Sequence, residues 1–254
     1  MLQNRVMPCL LLRNRGLVKT VKFKDPAYVG DPINTIRIFN EKEVDELILL
    51  DITATPQNKP PNFELVADIA GECFMPLAYG GGVRSVEDVK RLTGLGAEKV
   101  AINSAAYRDP ELISRAAAAV GSQSVIAAID VKKTLFGKYK AMHGGGKVEA
   151  RATAVEQAIR VQELGAGEIL LTSIDRDGTF AGYDLELVRA VTAAVGIPVI
   201  ACGGAGKIDD FGRAVKEGGA SAVAAGSLVV YQGPHRAVLV NFPKPADLKQ
   251  VLAR

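Results

Sequence analysis

A short apolar segment that ends in glycines occurs twice in this chain. It is Pro76-Leu77-Ala78-Tyr79-Gly80-Gly81-Gly82 in the first half and Pro198-Val199-Ile200-Ala201-Cys202-Gly203-Gly204 in the second. The two copies begin 122 residues apart, close to half of the 254-residue chain, and residues 45–50 and 167–171 form a second pair with the same spacing. Such a repeat indicates two similar halves, each with a sheet edge that the other half closes.

Eight apolar runs alternate with amphipathic stretches along the whole chain. The runs predict strands at residues 5–11, 46–51, 76–80, 99–103, 125–130, 168–173, 198–202 and 222–225. The stretches between them predict helices at residues 33–42, 62–73, 86–95, 110–120, 152–164, 184–195, 209–217 and 245–252. Eight strand–helix units in about 250 residues are typical of an α/β protein with a (β/α)8 TIM barrel. We therefore predict a single barrel domain over residues 1–254, built of two half-barrels, rather than a doubly wound sheet.

Composition excludes several classes of protein. The net charge of +3, from 31 basic and 28 acidic residues, is too small for the basic face of a nucleic-acid binder. The sequence contains no apolar stretch long enough for a signal peptide or a membrane span. Cys9, Cys73 and Cys202 are odd in number and widely spaced, which favours a reducing, cytoplasmic location. His143, expected in a loop, and His235, expected on the surface, are far apart, so we expect no metal site and no cofactor.

Small residues follow corresponding strands in both halves. Glycines end the two repeated segments, and Asn103-Ser104 and Gly226-Ser227 follow the next strand of each half. Amide groups without a neighbouring Cβ can approach an anion closely, and serine hydroxyls add donors. The active sites of such barrels lie at this end of the strands. We therefore expect two phosphate sites and a ligand with a phosphate at each end.

Two further features concern charged residues. Residues 12–32, which include Lys19, and residues 131–151 are long basic segments, expected to be loops that could close over an anionic ligand. At the opposite face, Arg5, Glu46, Lys99 and Glu168 begin four of the predicted strands. If they point inward, they must pair with one another to offset desolvation. Such a ring could serve stability or control passage through the barrel, and these alternatives stay open at this point.

Specific motifs are spread over the whole chain. They include Arg5-Val6-Met7-Pro8-Cys9-Leu10, Leu50-Asp51-Ile52-Thr53-Ala54, Ile102-Asn103-Ser104-Ala105-Ala106, Thr172-Ser173-Ile174-Asp175-Arg176-Asp177-Gly178-Thr179 and Gly203-Gly204-Ala205-Gly206. Together they resemble the cyclase subunit of imidazole glycerol phosphate synthase. That family takes ammonia from a glutaminase docked on the N-terminal face of the barrel. It uses the ammonia to cleave and cyclise a bis-phosphorylated ribulosyl aminoimidazole-carboxamide.

The resemblance implies roles for particular residues. It implies a heterodimer with a glutaminase subunit, and an ammonia gate formed by Arg5, Glu46, Lys99 and Glu168. It also implies phosphate contacts from Gly82, Asn103, Ser104, Gly178, Gly204, Gly226 and Ser227.

One departure from the family pattern concerns catalysis. The family places an aspartate at the end of strand 1 and another at the end of strand 5, as general base and acid. Asp130 matches the second, but Leu11 stands at the first. Losing one member of such a pair costs about 10²–10⁴-fold in rate, unless Asp51 or Asp177 substitutes for it. Asp130 and Asp177 are therefore the catalytic candidates.

A paralogous branch of the family keeps the gate and lacks the first aspartate. Its members accompany a glutaminase and an ATP-dependent sugar amidotransferase in surface-polysaccharide synthesis. Residues 18–24, 226–230 and 233–239 resemble that branch. We therefore expect an ammonia-channelling subunit of a glutamine-dependent amidotransferase that acts on a nucleotide-activated sugar, with a hollow running through the barrel. An authentic histidine-pathway cyclase, the sister aminoaldose–ketose isomerase and a non-catalytic scaffold are the alternatives.

Overall fold

A computed structural model describes residues 4–233 and 235–253 of the chain, whose strands and helices alternate. Its strands are β1 (Arg5–Arg13), β2 (Gly16–Val21), β3 (Lys24–Gly30), β4 (Leu47–Asp51), β5 (Leu77–Gly80), β6 (Lys99–Ile102), β7 (Val125–Lys133), β8 (Tyr139–His143), β9 (Val148–Thr153), β10 (Glu168–Ser173), β11 (Val199–Cys202), β12 (Ala222–Ala225), β13 (Tyr231–Gln232) and β14 (Ala237–Val238).

Eight of these strands form a closed parallel barrel. Their order is β1-β4-β5-β6-β7-β10-β11-β12, and β12 pairs with β1 to close the ring. The predicted TIM barrel is confirmed, and β10 and β12 have the predicted bounds. Closure leaves no free edge in the wall, because the first and second halves cover each other's edge strands.

Helices follow the barrel strands, and the longer ones cover the outside of the barrel. They are α1 (Pro32–Glu41), α2 (Phe63–Glu72), α3 (Val86–Gly94), α4 (Ser104–Arg108), α5 (Glu111–Val120), α6 (Ala154–Glu163), α7 (Leu185–Thr192), α8 (Ile208–Lys216), α9 (Ser227–Val230) and α10 (Pro245–Leu252). Polar residues fix where several of them begin. The side chains of Ser85 and Thr153 accept amide protons in capping boxes of α3 and α6. No helix within residues 4–233 and 235–253 combines the length and the apolar character that a membrane crossing requires.

The two segments expected to be loops are β-structure, and that expectation was wrong. β2 and β3 form a hairpin on the extended end of β1, and β8 and β9 form its counterpart on β7. The strands were missed because charged and polar residues interrupt their apolar pattern, among them the buried Lys19 in β2 and the exposed Lys24 in β3, although Leu17 and Val18 are buried. Lys19 therefore lies within β2 rather than in a flexible loop. His143 likewise ends β8 instead of lying in a loop, and its ring stacks on Tyr107 at 4.8 Å.

The interior of the barrel is packed in its lower half. Met7, Ile48, Ile126 and Ile200 are fully buried there, and alanines occupy several of the positions between them. The continuous hollow expected from the sequence is therefore present only in the upper part, above these four side chains. A passage from the floor to the mouth requires them to move apart.

Candidate active site and floor ring

A cavity of about 370 Å³ opens at the C-terminal ends of the barrel strands. Its wall has an apolar part that includes Leu11, Leu50 and Leu170, while Asp130 and Asp177 also line it. Parallel strands place these side chains together because the inward residues near their C-terminal ends meet at one mouth. The cavity is therefore a site where carboxyl groups face an apolar, partly water-excluded space.

Asp130 lies near the point where β7 leaves the barrel wall. Its Oδ2 accepts a hydrogen bond from Asn103 Nδ2 at 3.2 Å, and the same amide donates to the carbonyl of Ala128 at 3.0 Å. Burial, together with the negative charge of Asp177, raises the pKa of Asp130 to about 7. A carboxyl group with such a pKa can both accept and release a proton near neutral pH.

Asp177 reaches the cavity from the loop after β10. Its Oδ2 accepts a hydrogen bond from Thr20 Oγ1 at 3.0 Å, and its carbonyl accepts one from the amide of Lys22 at 2.9 Å. Burial raises the pKa of Asp177, and the nearby Lys19 ammonium opposes that effect. The first hairpin thus holds Asp177 in place.

The surroundings of Leu11 and Asp51 show whether Asp51 could act in place of the aspartate that the family pattern has at position 11. Leu11 is half-buried, lines the cavity and pairs in register with Leu50 of β4. Asp51 also lines the cavity, but its Oδ1 accepts hydrogen bonds from Thr53 Oγ1 at 2.6 Å and from two amides. Since Asp51 is committed to this turn, Asp177 is the better placed of the two substitutes.

The first predicted phosphate site is formed by residues of the first half. Gly82, Asn103 and Ser104 line the cavity. Gly82 has a φ of +74°, and a Cβ there would lie 2.8 Å from the backbone of Pro60 and Pro61, so only glycine fits. Arg84 and Arg108 stand at the same rim, which the sequence did not indicate because neither belongs to a repeated motif. Their positive charges favour an anion.

The second predicted phosphate site is its counterpart in the other half. Gly178, Gly204, Gly226 and Ser227 line a separate small cavity of about 30 Å³ together with Lys19. The Lys19 side chain is buried (5 % exposed), and its ammonium donates to the carbonyl of Cys9. Burial lowers the pKa of Lys19, and the charge of Asp177 partly offsets this. A cation is thus built into the second site, whereas arginines stand at the rim of the first.

Four charged side chains form a closed ring at the floor of the barrel. Arg5 contacts Glu46 at 2.5 Å and Glu168 at 2.8 Å, and Lys99 contacts the same two carboxylates at 2.9 and 3.1 Å. Glu46 is 3 % exposed and Glu168 is 8 % exposed. Because charge alternates around the ring, each buried carboxylate has two cationic neighbours, which offsets its desolvation.

The two buried thiols lie side by side in the barrel. Cys9 of β1 and Cys202 of β11 line both cavities. A hydrogen bond from the Cys202 thiol lowers the pKa of Cys9, against the effect of burial. Both thiols therefore face the barrel interior, whereas Cys73 follows α2.

Comparisons with known proteins give the family. A family model described as "Histidine biosynthesis protein" matches residues 5–235. A Pseudomonas aeruginosa protein with the provisional name imidazole glycerol phosphate synthase subunit hisF2 is 54% identical over 243 residues, covering 96% of this chain and 97% of that one. Subunit hisF3 of Vibrio vulnificus, also provisionally named, is 47% identical, covering 99% and 97% of the two chains. Imidazole glycerol phosphate synthase subunit HisF of Alkaliphilus metalliredigens is 46% identical, covering 91% and 92%.

Proposed function

Since the chain belongs to the histidine biosynthesis protein family, among the HisF-type subunits of imidazole glycerol phosphate synthase, we propose that it is an ammonia-channelling subunit of a glutamine-dependent amidotransferase. A glutaminase subunit docks on the floor of the barrel and forms a heterodimer with it. An ATP-dependent sugar amidotransferase consumes the ammonia, and a nucleotide-activated sugar destined for surface polysaccharide is amidated.

The observation that carries this proposal is Leu11 at the mouth of the cavity. The resemblance to the cyclase places an aspartate there as the partner of Asp130, and a leucine side chain cannot transfer a proton. Leu11 and Leu50 give this part of the wall an apolar surface instead. Cyclisation of the substrate thus lacks one of its two proton carriers. The floor ring of charged residues takes no part in that cyclisation, and all four of its members are present.

The floor ring fits a gate for ammonia, and ammonia passes beyond it only when Met7, Ile48, Ile126 and Ile200 move apart. Opening one ion pair, such as Lys99–Glu46, leaves each carboxylate with its second cation, so the ring can open without leaving a charge unpaired. Above the ring the side chains are apolar. An apolar passage favours neutral ammonia, because an ammonium ion would lose its hydration there.

The names of the relatives support a paralogous role. The suffixes 2 and 3 in the names of the Pseudomonas and Vibrio proteins are typical of additional copies of a subunit. Additional copies are expected when one of them serves another pathway. A second candidate function is the authentic cyclase of histidine biosynthesis. The position of Asp177 in the cavity favours it, because Asp177 could replace the missing aspartate, and so does the clustering of the predicted phosphate contacts around two cavities.

Turnover with ammonium salt distinguishes the two functions. We expect the purified chain to show no appreciable conversion of the bis-phosphorylated ribulosyl intermediate, and Leu11→Asp to create measurable conversion. Product formation is followed by the absorbance change of the carboxamide. Appreciable turnover by the unaltered protein, abolished by Asp177→Asn, would contradict the proposal and establish the cyclase.

The conduit is tested through the floor ring. With the glutaminase and the sugar amidotransferase present, we expect Lys99→Met to lower the amount of aminated product per glutamine hydrolysed several-fold and to release ammonia into solution. Lys90→Met removes one exposed lysine from α3 and serves as the matched control. Unchanged coupling in a folded Lys99→Met protein would mean that the ring serves stability alone.

A further inference from the structure

The two predicted phosphate sites differ in the room that they offer. The mouth cavity, which Gly82, Asn103 and Ser104 line, has a volume of about 370 Å³, whereas the small cavity beside Gly204 and Gly226 has a volume of about 30 Å³. The smaller volume is close to the share of a single water molecule in the liquid, about 30 Å³. A phosphate group, with four oxygens around its phosphorus, therefore fits the mouth cavity and does not fit the small one.

The Lys19 side chain fills the second site. It is buried and lines the small cavity, and its ammonium donates a hydrogen bond to the carbonyl of Cys9. Its Nζ lies so close to Gly226 that a Cβ at that position would collide with it. The ammonium thus stands where an anion would have to approach the backbone of Gly226.

The first hairpin holds Lys19 in this position. Lys19 pairs in register with Ala27 of β3, and its neighbour Thr20 is buried and donates to Asp177 Oδ2 at 3.0 Å. Because the strand is fixed, an incoming phosphate would have to break the buried hydrogen bond from Lys19 to Cys9 in order to displace the ammonium. The carboxyl group of Asp177 also lines the small cavity and, when ionised, repels a phosphate there.

The mouth cavity, by contrast, offers positive charge that no carboxylate neutralises. Arg84, Arg108 and Lys147 line it, and all three are exposed. Within residues 4–233 and 235–253, none of the three has a carboxylate oxygen within 4.0 Å. Leu50 and Leu170 belong to the apolar part of the wall. Such a cavity suits a ligand that carries one phosphate group on an otherwise uncharged body.

We propose that the mouth cavity binds a phosphomonoester through a single phosphate group, and that Lys19 closes the second site to a second phosphate. This ligand differs from the bis-phosphorylated one that the repeated motifs suggested. A repeat specifies equivalent backbone positions in the two halves, but it does not specify the side chain that fills one of them. The inference goes beyond the proposed function and does not depend on it, because it concerns the ligand of the mouth cavity and not the partners of the chain.

Two sugar phosphates that differ by one phosphate group test the proposal. The affinities of the purified chain for ribulose 5-phosphate and ribulose 1,5-bisphosphate are measured by isothermal titration calorimetry. We expect the two dissociation constants to agree within about 10-fold, because a phosphate group that stays in solvent adds little affinity. Equilibrium dialysis against inorganic phosphate should likewise show a single bound ion per chain.

An arginine of the first site is tested in the same titrations. We expect Arg108→Gln to weaken the binding of both sugar phosphates by about 10-fold or more, since it removes charge-assisted hydrogen bonds to the phosphate group that they share. Arg160→Gln is the matched control, because it removes an exposed arginine from α6, and it should leave both dissociation constants unchanged.

Lys19 itself is tested in two ways. Lys19→Met removes the charge and keeps a long side chain, and we expect the ratio of the two dissociation constants to stay as in the unaltered chain. In the unaltered chain, acetic anhydride should modify Lys19 at least about 10-fold more slowly than the exposed Lys22 of the same hairpin, with or without ribulose 1,5-bisphosphate. Mass spectrometry follows both lysines, and this measurement does not depend on how the variant folds.

Several outcomes would overturn the inference. Binding of the bisphosphate more than about 10-fold tighter than that of the monophosphate, or two bound phosphate ions per chain, would show that the second site accepts a phosphate. Weaker binding of the bisphosphate alone in Lys19→Met would make the ammonium a phosphate ligand. Modification of Lys19 as fast as Lys22 once the bisphosphate is added would show that the ammonium moves aside.

The first site has its own contrary results. If neither sugar phosphate binds, or if Arg108→Gln and Arg160→Gln bind both equally well, the mouth cavity is not a phosphate site and the inference fails. None of these titrations contains glutamine or a partner subunit, so their failure leaves the proposed function standing, and failure of glutamine-dependent amination leaves this inference standing.

Discussion

Asp130 is the residue whose chemistry depends most on its surroundings. Its position at the end of a barrel strand was evident from the sequence, but its pKa follows from the apolar cavity wall and the charge of Asp177. Leu11 is part of that wall, and its side chain offers Asp130 neither a second proton carrier nor a hydrated neighbour.

The raised pKa of Asp130 predicts a pH dependence of stability. Between the unfolded value near 4 and the folded value of about 7, the folded state binds more protons than the unfolded state. The stabilising contribution of the protonated form is therefore present below about pH 4 and is lost as the pH rises through 7. The variant Asp130→Asn carries an amide that does not titrate, so it does not show this loss.

We therefore expect the free energy of unfolding of the unaltered chain to fall between pH 5 and pH 8 by about 1–2 kcal/mol more than that of Asp130→Asn. The figure is reduced because the cavity admits water. Urea unfolding of both proteins at several pH values measures the difference. Parallel stability curves for the two proteins would contradict the raised pKa.

The hairpins are the elements that complete the site. The first holds Asp177 through Thr20 and Lys22, and it brings Lys19 to the second predicted phosphate site. The turn of the second carries Gly145 and Lys147, which line the cavity, and the turn that joins it to β7 carries the exposed Leu135 and Phe136. Because each hairpin extends a barrel strand, its direction is set by the β-ladder rather than by its own sequence.

The contact between the first hairpin and the loop after β10 is tested at Gly178. This glycine has a φ of +69°, and a Cβ there would collide with the backbone of Thr20. We expect Gly178→Ala to lower the free energy of unfolding by about 2–4 kcal/mol, from left-handed strain and the forced displacement of the hairpin. Hydrogen exchange should speed up across residues 16–30.

Gly71→Ala is the matched control for that variant. Gly71 lies within α2 and has open space around its Cβ position, so alanine should stabilise the protein by roughly 0.5–1 kcal/mol. Equal stability of the two variants would show that the hairpin does not rest on Gly178.

At the scale of the molecule, the two halves correspond in structure as well as in sequence. β1 and β7 each carry a hairpin, and β6 and β12 are each followed by a short helix, α4 and α9. The two predicted phosphate sites lie one in each half, and the two catalytic candidates both come from the second half. The floor ring draws three residues from the first half and one from the second.

This organisation predicts how the chain behaves when it is divided after Val120. Each fragment has four barrel strands with two unpaired edges, so we expect each fragment alone to self-associate or aggregate. Mixing the fragments should restore a compact species of full mass. Analytical ultracentrifugation and circular dichroism measure both states. A fragment that stays monomeric and unfolds cooperatively alone would contradict the mutual closure.

The sequence by itself determined the architecture and the location of the site. Periodic apolar runs and the repeat at 122 residues were sufficient for the barrel, because strand and helix periods and connection rules leave few other arrangements. The same rules placed Asp130 and the glycine loops at one face and the four charged residues at the other.

Only the tertiary structure decided the hairpins, the packed lower interior and the contacts of each charge. The hairpins depend on pairing with strands already placed, and charged and polar residues interrupt the apolar pattern that would reveal their strands. Whether the interior is open depends on how Met7, Ile48, Ile126 and Ile200 fill it together, which no single segment specifies. The exposure of Leu135 and Phe136 likewise depends on which neighbours fail to cover them, and local sequence carries no information about that.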